Sequence, residues 1–376
     1  MNKSGLNNDG IISKWVILVS VLLLSAALLC GCTQDTGRNQ TISMNNSETR
    51  IVFNDSYDNR IELSHTPTRI IALNRQHVQM LILLGAADKI VGTCGYQVFH
   101  EPLIMNRLSP DVKDVGAYTT LNSEAILQLN PDVILSYGSH TPSNIDAIKA
   151  LNLTVVYVDC YRLAGLNEDA YILGELTGKK EEAQRYIRFN QKYMDLVESR
   201  LANLTPDEIP TAYSESLDYY ALTSNSNIGQ TFSALHIRII YDDPEAPEAV
   251  KVSAEWIVQK NPDIITKTGS SKESFLSLRD KIANRTGFKS LKAVQSNQVY
   301  IYNNELVGSS PRGVIGLVYF AKAIYPNRFA DIDPDAVRRE YNREFGVVDN
   351  ESMEWFYPPF NPINGTKEGA EITTGG

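Results

Sequence analysis

Short apolar runs alternate with amphipathic stretches along most of the chain, and the two periods together predict a series of β-α units. RIIAL (69–73), KIVGTCGY (89–96), DVILSYG (132–138) and TVVYVD (154–159) have the length and apolar content of buried strands. Between them, HVQMLILLGA (77–86, closing on Gly85), SEAILQLN (123–130, stopped by Pro131) and SNIDAIKALN (143–152) repeat apolar residues at helical spacing. IVFNDSYDNRIEL (51–63) reads as a hairpin, because turn-forming Asn54, Asp55, Ser56, Asp58 and Asn59 separate two apolar flanks.

The character changes at residues 180–203. Ala183, Tyr186, Ile187, Asn190, Met194, Val197 and Leu201 recur at steps of three and four, with charge on most of the other face. The pattern predicts one uninterrupted helix of about 35 Å at 1.5 Å per residue. The βα alternation then resumes: TAYSES (211–216), YYAL (219–222), DIITKTG (263–269) and VYIYN (299–303) as strands. The helices are NIGQTFSALH (227–236), SAEWIVQKN (253–261) and PRGVIGLVYFAKAIY (311–325). Ser309 or Ser310 is the expected N-cap of the last, and Asp333 that of a final helix opened by Pro334. Apart from WFYPPF (355–360), residues 350–376 are rich in Pro, Gly and Asn, and the whole stretch reads as a tail.

A duplication organises this series. EAILQLNPDVILSYGS (124–139) and EWIVQKNPDIITKTGS (255–270) match at Glu124/Glu255, Ile126/Ile257, Gln128/Gln259, Asn130/Asn261, Pro131/Pro262, Asp132/Asp263, Ile134/Ile265, Gly138/Gly269 and Ser139/Ser270. Chance would give about one identity over such a window at average residue usage. Two copies, each inside a βα series, mean a duplicated lobe rather than a solenoid. Asn-Pro-Asp ends a helix and launches a strand, since the residue before Pro avoids the α region. The Ile positions fill a core. Glu124 and Glu255 fall in the first helical turn, where a carboxylate either simply favours the helix dipole or serves another purpose.

The N-terminus changes the setting. WVILVSVLLLSAALLCG (15–31) follows Lys3 and Lys14, the layout of an export signal. It ends in Leu29-Cys30-Gly31-Cys32, which resembles a lipoprotein cleavage site with Cys32 as the lipidated residue. An uncleaved anchor helix is the other reading, and both place the remainder outside the cytoplasm. Residues 33–49 are polar, with almost no apolar content, and read as a disordered tether. The expected division is therefore signal 1–32, tether 33–49, N-terminal lobe 50–166, linking helical segment 167–205, C-terminal lobe 206–349 and tail 350–376. Asn-x-Ser/Thr sequons, among them Asn39, Asn45, Asn152, Asn203 and Asn284, suit a surface protein. Cys94 and Cys160 form either a disulfide or two buried thiols. A net charge of −9 argues against a nucleic-acid partner.

Several of these segments together resemble a known family. Pro67-Thr68-Arg69-Ile70-Ile71-Ala72-Leu73, the stretch Leu84 to Gly92, the two Glu…Asn-Pro-Asp segments, the long helix between lobes, and the late run from Ala321 to Pro334 are similar to solute-binding proteins of ABC importers in the ferric-siderophore, haem and cobalamin class. The resemblance covers roughly residues 50–346. It implies an α/β protein with two Rossmann-like lobes joined by one long rigid α-helix, a metal-chelate ligand in the cleft between lobes, and a membrane permease dimer as partner. It also implies that one surface Glu on each lobe docks on permease arginines, and Glu124 and Glu255 match those positions. A monomer without catalysis, cofactor or resident metal is expected.

Ligands of open α/β sheets bind beyond the C-terminal strand ends. That rule selects Asn74-Arg75, Tyr96 and Tyr137 to His140 in the first lobe. In the second it selects Thr223 to Asn227 and the helix start Ser309 to Arg312; Tyr118 lies in the loop before Glu124. Arg312 is the leading candidate, because a guanidinium at a helix N-terminus makes an anion site; a solvent-facing Arg is the alternative. Tyr96, Tyr118, Tyr137 and Tyr220 offer stacking surfaces, or merely core edge. His100 and His140 lack the paired spacing of a metal cage. No GxSxG, P-loop, GxGxxG or HExxH motif occurs, although a tetrapyrrole-handling enzyme on a chelatase-like fold remains the rival reading. The cargo is expected to be a ferric-siderophore-type complex, with cobalamin, haem and molybdate or tungstate as alternatives.

Overall fold

The computed structural model describes residues 50–99, 102–269, 273–308, 310–349 and 353–358; for residues 96, 97, 102 and 103 only the backbone is described. The signal and tether, Cys32, His100, Ser309 and residues 359–376 lie outside this set.

The described residues open with the hairpin β1 (Ile51–Asn54) and β2 (Arg60–Leu63), antiparallel as its turn chemistry predicts. The first lobe then builds a sheet from β3 (Ile70–Ala72), β4 (Ile90–Thr93), β5 (Lys113–Asp114), β8 (Val133–Ser136) and β9 (Val155–Tyr157), while β6 (Gly116–Ala117) and β7 (Thr120–Leu121) make a small ribbon between them. The order is β5-β4-β3-β8-β9 and every pairing is parallel. Its helices are α1 (Arg75–Leu83), the single turns α2 (Tyr96–Phe99) and α3 (Pro102–Met105), α4 (Ser123–Leu129) and α5 (Ile145–Lys149).

Two helices leave this lobe, α6 (Leu166–Thr177) and α7 (Lys180–Leu201). They run antiparallel about Gly178 (φ 75°), with Gly174 against the Ala183 methyl and Asn190 bonded to Asn167 at 2.9 Å. The 22 residues of α7 span about 33 Å. Its inner face packs on the second lobe: Phe189 meets Tyr341 and Phe345, Tyr186 Oη donates to the Pro311 carbonyl at 2.7 Å, and Lys192 pairs with Glu340 at 2.8 Å.

The second lobe comprises β10 (Thr211–Glu215), β11 (Tyr220–Leu222), α8 (Asn227–Ala234), β12 (Arg238–Ile239), β13 (Ala249–Lys251), α9 (Ala254–Lys260) and β14 (Ile264–Gly269). It continues with α10 (Phe275–Ala283), α11 (Lys292–Gln295), β15 (Val299–Asn303), α12 (Gly313–Ile324), α13 (Pro334–Phe345) and β16 (Phe356–Tyr357). Among the described residues its sheet runs β13-β11-β10-β14-β15-β16, parallel through β10-β14-β15 and antiparallel at the edges. One apolar core passes from Ile70, Val78 and Leu81 through Leu173, Tyr186 and Val197 to Val314, Leu317 and Phe320. A continuous core across both lobes opposes wide hinge bending.

Two expectations are corrected. The C-terminal stretch is not all tail: Phe356 and Tyr357 add a strand to β15, and Trp355 and Phe356 are buried. The N-cap of α12 is Arg312 rather than a serine; Ser310 accepts from the Arg312 N–H one step earlier, at 3.3 Å. Asp333 caps α13 as expected. Cys94 and Cys160 are free buried thiols, and burial pushes the Cys94 thiol up to about 12.

The duplicated segment repeats as structure. Asn122 and Ser253 cap α4 and α9 by accepting from Ala125 and Trp256, each at 3.1 Å. Asn130 and Asn261 end them in the left-handed region, at φ 42° and 46°. The next Asp then reaches the start of a neighbouring strand. Asp132 accepts from the N–H groups of Thr68 and Arg69 at 2.7 and 2.9 Å; Asp263 accepts from the N–H and hydroxyl of Thr211 at 2.9 and 2.7 Å. Burial raises both carboxyls, but these hydrogen bonds outweigh it and hold them below the usual range. Gly138 and Gly269 also serve one purpose: a Cβ at either would lie 2.2 Å from the ring of Tyr57 or of Phe275 that covers the strand end. Replacing Asp132 or Asp263 by Ala is expected to destabilise the protein by about 1–3 kcal/mol each, from stranded strand-start donors. Urea unfolding of the two variants measures this, and a neutral result in either lobe would refute the shared role.

Candidate functional site

The C-terminal strand ends of the first lobe gather an aromatic wall. Tyr137, directly after β8, is buried, and its ring centroid lies 4.6 Å from His140, 5.1 Å from His77, 5.1 Å from Tyr161 and 5.5 Å from Tyr118. Its hydroxyl donates to the Gln76 side-chain oxygen. Tyr118, half-buried on the turn between β6 and β7, donates to the His140 carbonyl at 2.5 Å and so ties that turn to the β8 loop. His140 is exposed. Burial drives the Tyr137 phenol far above its ordinary range, so it is a neutral donor and a stacking surface.

Below the wall, His77 is fully buried, with Nε2 2.7 Å from the Val158 carbonyl. That bond makes Nε2 the protonated nitrogen and leaves Nδ1 as an acceptor without a partner. Desolvation lowers this imidazole to about 4. Asn74 and Thr93, at the ends of β3 and β4, also keep a buried polar atom without a hydrogen-bond partner.

A second layer holds the wall. Asp159, after β9, accepts from the Tyr57 hydroxyl at 2.8 Å, the Gly138 N–H at 3.1 Å and the Ser139 hydroxyl at 3.2 Å. It also pairs with Arg162 at 3.1 Å. Ser139 in turn lies 3.1 Å from the Tyr161 hydroxyl. Asp169 on α6 accepts from Ser56 and from the Cys160 N–H, and burial raises it to about 6.

Among the described residues, two ion pairs cross to the second lobe. Arg75, at the start of α1, pairs with Glu305, which follows β15; both side chains are largely buried. Arg162 reaches Glu248, which precedes β13, at 2.9 Å.

The sequence-selected residues divide accordingly. Tyr118, Tyr137 and His140 come together, and Arg75 stands at the lobe junction. Arg312 differs from expectation: its guanidinium pairs with Asp349 at 2.7 Å and lies 5.3 Å from the Trp355 ring, so its charge is already neutralised within the lobe. Tyr220 lies on β11 in the other lobe, with the Lys251 ammonium 4.7 Å over its ring. Of Tyr96 only the backbone is described, opening α2. Tyr161 and Arg162 were missed although the strand-end rule reaches them. The same rule reaches Asp159, two residues beyond β9, but Tyr57 had no such signal, because its pairing with Asp159 joins residues far apart in the chain. Glu124 and Glu255 are exposed in the first turns of α4 and α9, and Glu255 is held below the usual range by its backbone N–H and Ser253. Among the described residues, no cluster of three or more His, Cys, Asp or Glu could hold a metal ion, and no helix is long and apolar enough to cross a membrane.

Two α/β lobes joined by a helical connector, with facing strand ends and cross-lobe pairs, define a two-lobed solute-binding protein. The sequence agrees: residues 70–306 match the periplasmic binding protein family, and the chain belongs to it. An ABC transporter substrate-binding lipoprotein of Bacillus subtilis, YvrC, is 24% identical over 321 residues, 83% of this chain and 98% of that protein. The iron(3+)-hydroxamate-binding protein YxeB of the same organism is 24% identical over 298 residues, 77% of this chain and 89% of that protein. The solved structure of the molybdate-binding protein MolA of Haemophilus influenzae with molybdate has a TM-score of 0.66 at 20% identity, covering 80% of this chain and 99% of that one. The protein is thus an extracytoplasmic-type solute-binding component of an ABC importer.

Proposed function

We propose that this protein captures a metal chelate, of the ferric-siderophore type, in the cleft between its lobes and delivers it to an ABC permease dimer. The aromatic wall of Tyr118, Tyr137, His140 and Tyr161 carries this reading. Flat phenol and imidazole faces with neutral donors suit a ligand whose metal already has its own donor atoms. The names of YvrC and YxeB support importer and cargo class, and the word lipoprotein supports anchorage through Cys32. The protein acts as a monomer and without chemistry: the liganded form presents Glu124 and Glu255 to the two permease subunits.

Calorimetric titration with a ferric hydroxamate, ferric citrate, cobalamin, haem and molybdate tests it. A ferric chelate is expected to bind most tightly, and Tyr137→Ala to weaken that binding about tenfold. Binding of molybdate alone, or turnover of a tetrapyrrole by the purified protein, would refute the proposal.

A further inference from the structure

The run Ser-His-Thr-Pro occurs twice, opening at Ser64 and at Ser139, and in both copies the serine hydroxyl lies 3.1 Å from Nδ1 of the histidine. The local contact is the same, but the carboxylate beside it differs. In the first copy Asp132 lies 3.4 Å from His65 Nε2. A carboxylate only accepts, so Nε2 carries the proton and, in the neutral ring, Nδ1 accepts from the Ser64 hydroxyl.

In the second copy the carboxylate meets the serine instead. Asp159, already paired with Arg162, accepts from the Ser139 hydroxyl at 3.2 Å. The single Ser139 proton is thereby committed. Its oxygen then accepts from its other two neighbours, the Tyr161 hydroxyl at 3.1 Å and His140 Nδ1 at 3.1 Å. In the neutral His140 ring the proton therefore sits on Nδ1, and Nε2 keeps an open lone pair. Among the described residues no hydrogen bond or ion pair engages this Nε2, and His140 is exposed on the aromatic wall, 4.6 Å from the Tyr137 ring. The arrangement is held from both sides. Tyr57 donates to Asp159 Oδ2 at 2.8 Å and leaves Oδ1 to Ser139, while Tyr118 donates to the His140 carbonyl at 2.5 Å.

We propose that His140 is a specificity-determining residue of the cargo cleft: with its proton held on Nδ1 by Ser139 and Asp159, its Nε2 accepts a hydrogen bond from an N–H or O–H at the surface of the cargo. The inference rests on the aromatic wall being the cargo site. It selects chelates that keep such a donor on their rim over those alkylated at the same place.

Two measurements on the full chain test it. The first needs no cargo. Isotopically labelled histidine nitrogens are read by long-range proton–nitrogen correlation at a pH of about 8.5, above the ordinary histidine value of about 6.5, and His140→Gln identifies the His140 signals. His140 is expected with its proton on Nδ1 and His65 with its proton on Nε2. Ser139→Ala is expected to remove the Nδ1 preference at His140 and to leave His65 unchanged. A proton on Nε2 of His140 in the unaltered protein would overturn the inference whatever the cargo is.

The second measurement compares the ferric tris-complex of acetohydroxamate, which carries an N–H on each ligand, with that of N-methylacetohydroxamate, which carries none. The first is expected to bind about fivefold more tightly, the worth of one hydrogen bond, and the preference to vanish in Ser139→Ala. Equal affinities in the unaltered protein, or a preference that persists in Ser139→Ala, would overturn the acceptor role. Binding of neither complex would overturn the cargo reading and the acceptor role that rests on it, while the nitrogen signals still decide the tautomer.

Discussion

Replacing Glu215 by Ala is expected to destabilise the protein by about 3–5 kcal/mol, the cost of leaving buried cations unmatched. Glu215 ends β10 and is fully buried; it accepts from Arg285 at 2.8 and 2.9 Å, from Lys267 at 3.0 Å, from the Tyr213 hydroxyl at 2.7 Å and from the Tyr219 N–H at 3.0 Å. Lys267 and Arg285 are themselves largely buried, while Asp218, their other carboxylate, is exposed and screens them only weakly. The cluster clamps the end of α10 and the segment after it onto the sheet. Burial pushes the Glu215 carboxyl up, but Arg285, Lys267 and Tyr213 outweigh it, and the folded carboxyl ionises below the usual Glu range. Its contribution is therefore complete above the unfolded value and is lost as pH falls through the lowered folded value. Urea midpoints measured across the acid range should converge for wild type and Glu215→Ala at the lowest pH. A wild-type-like midpoint for the variant at neutral pH would refute the clamp. The double variant Glu215→Leu/Lys267→Met should recover part of the loss, since a buried ion pair exchanged for packed apolar groups is often neutral.

The double reversal Glu124→Lys/Glu255→Lys is expected to abolish cargo uptake while leaving cargo affinity unchanged and lowering stability only modestly, by about 0.3–1 kcal/mol per site from the first-turn helix dipole. Both side chains are exposed, and neither belongs to the aromatic wall. They occupy the same position in two copies of one helix, each capped in the same way and each leading to the same left-handed Asn. Two equivalent carboxylates suit two equivalent permease subunits, and such rim charges act mainly through encounter and orientation. Each single reversal should lower uptake about tenfold, through the like-charge contact it creates with one subunit. Uptake by membrane vesicles or intact cells measures this. Normal uptake in the double variant would end the docking proposal.

The linear pattern was sufficient wherever local chemistry decides. The βα series, Gly85 after α1, Asp333 at the start of α13, and the Asn-Pro-Asp boundaries follow from capping, proline and apolar period, which act within a few residues. The two Glu positions were legible for the same reason, because the duplication marks them in one dimension. The helix start at Arg312 was misplaced because Ser309, Ser310 and Pro311 are all good first-turn residues, and long-range packing chose among them. The tail reading of 350–376 failed at Trp355 and Phe356, whose burial requires Arg312, Arg338 and β15 to be already in place.

The site divides along the same line. Strand order places Tyr137, His140 and Arg75 at C-terminal strand ends, and a sequence that shows the strands therefore shows these residues. It does not show which partner satisfies each charge. Arg312 looked like an open anion receptor until Asp349 was seen to neutralise it, and Arg75 gained Glu305 from the other lobe. Tyr57 reached the wall only because Gly138, without a side chain, leaves the space its ring fills. The sequence alone thus determined the two duplicated lobes, the long helix between them and the paired surface carboxylates, since period, caps and repeats are local. Tertiary structure alone decided which charges find partners and which aromatic rings meet, because burial and ion pairing depend on residues that only the folded chain brings together.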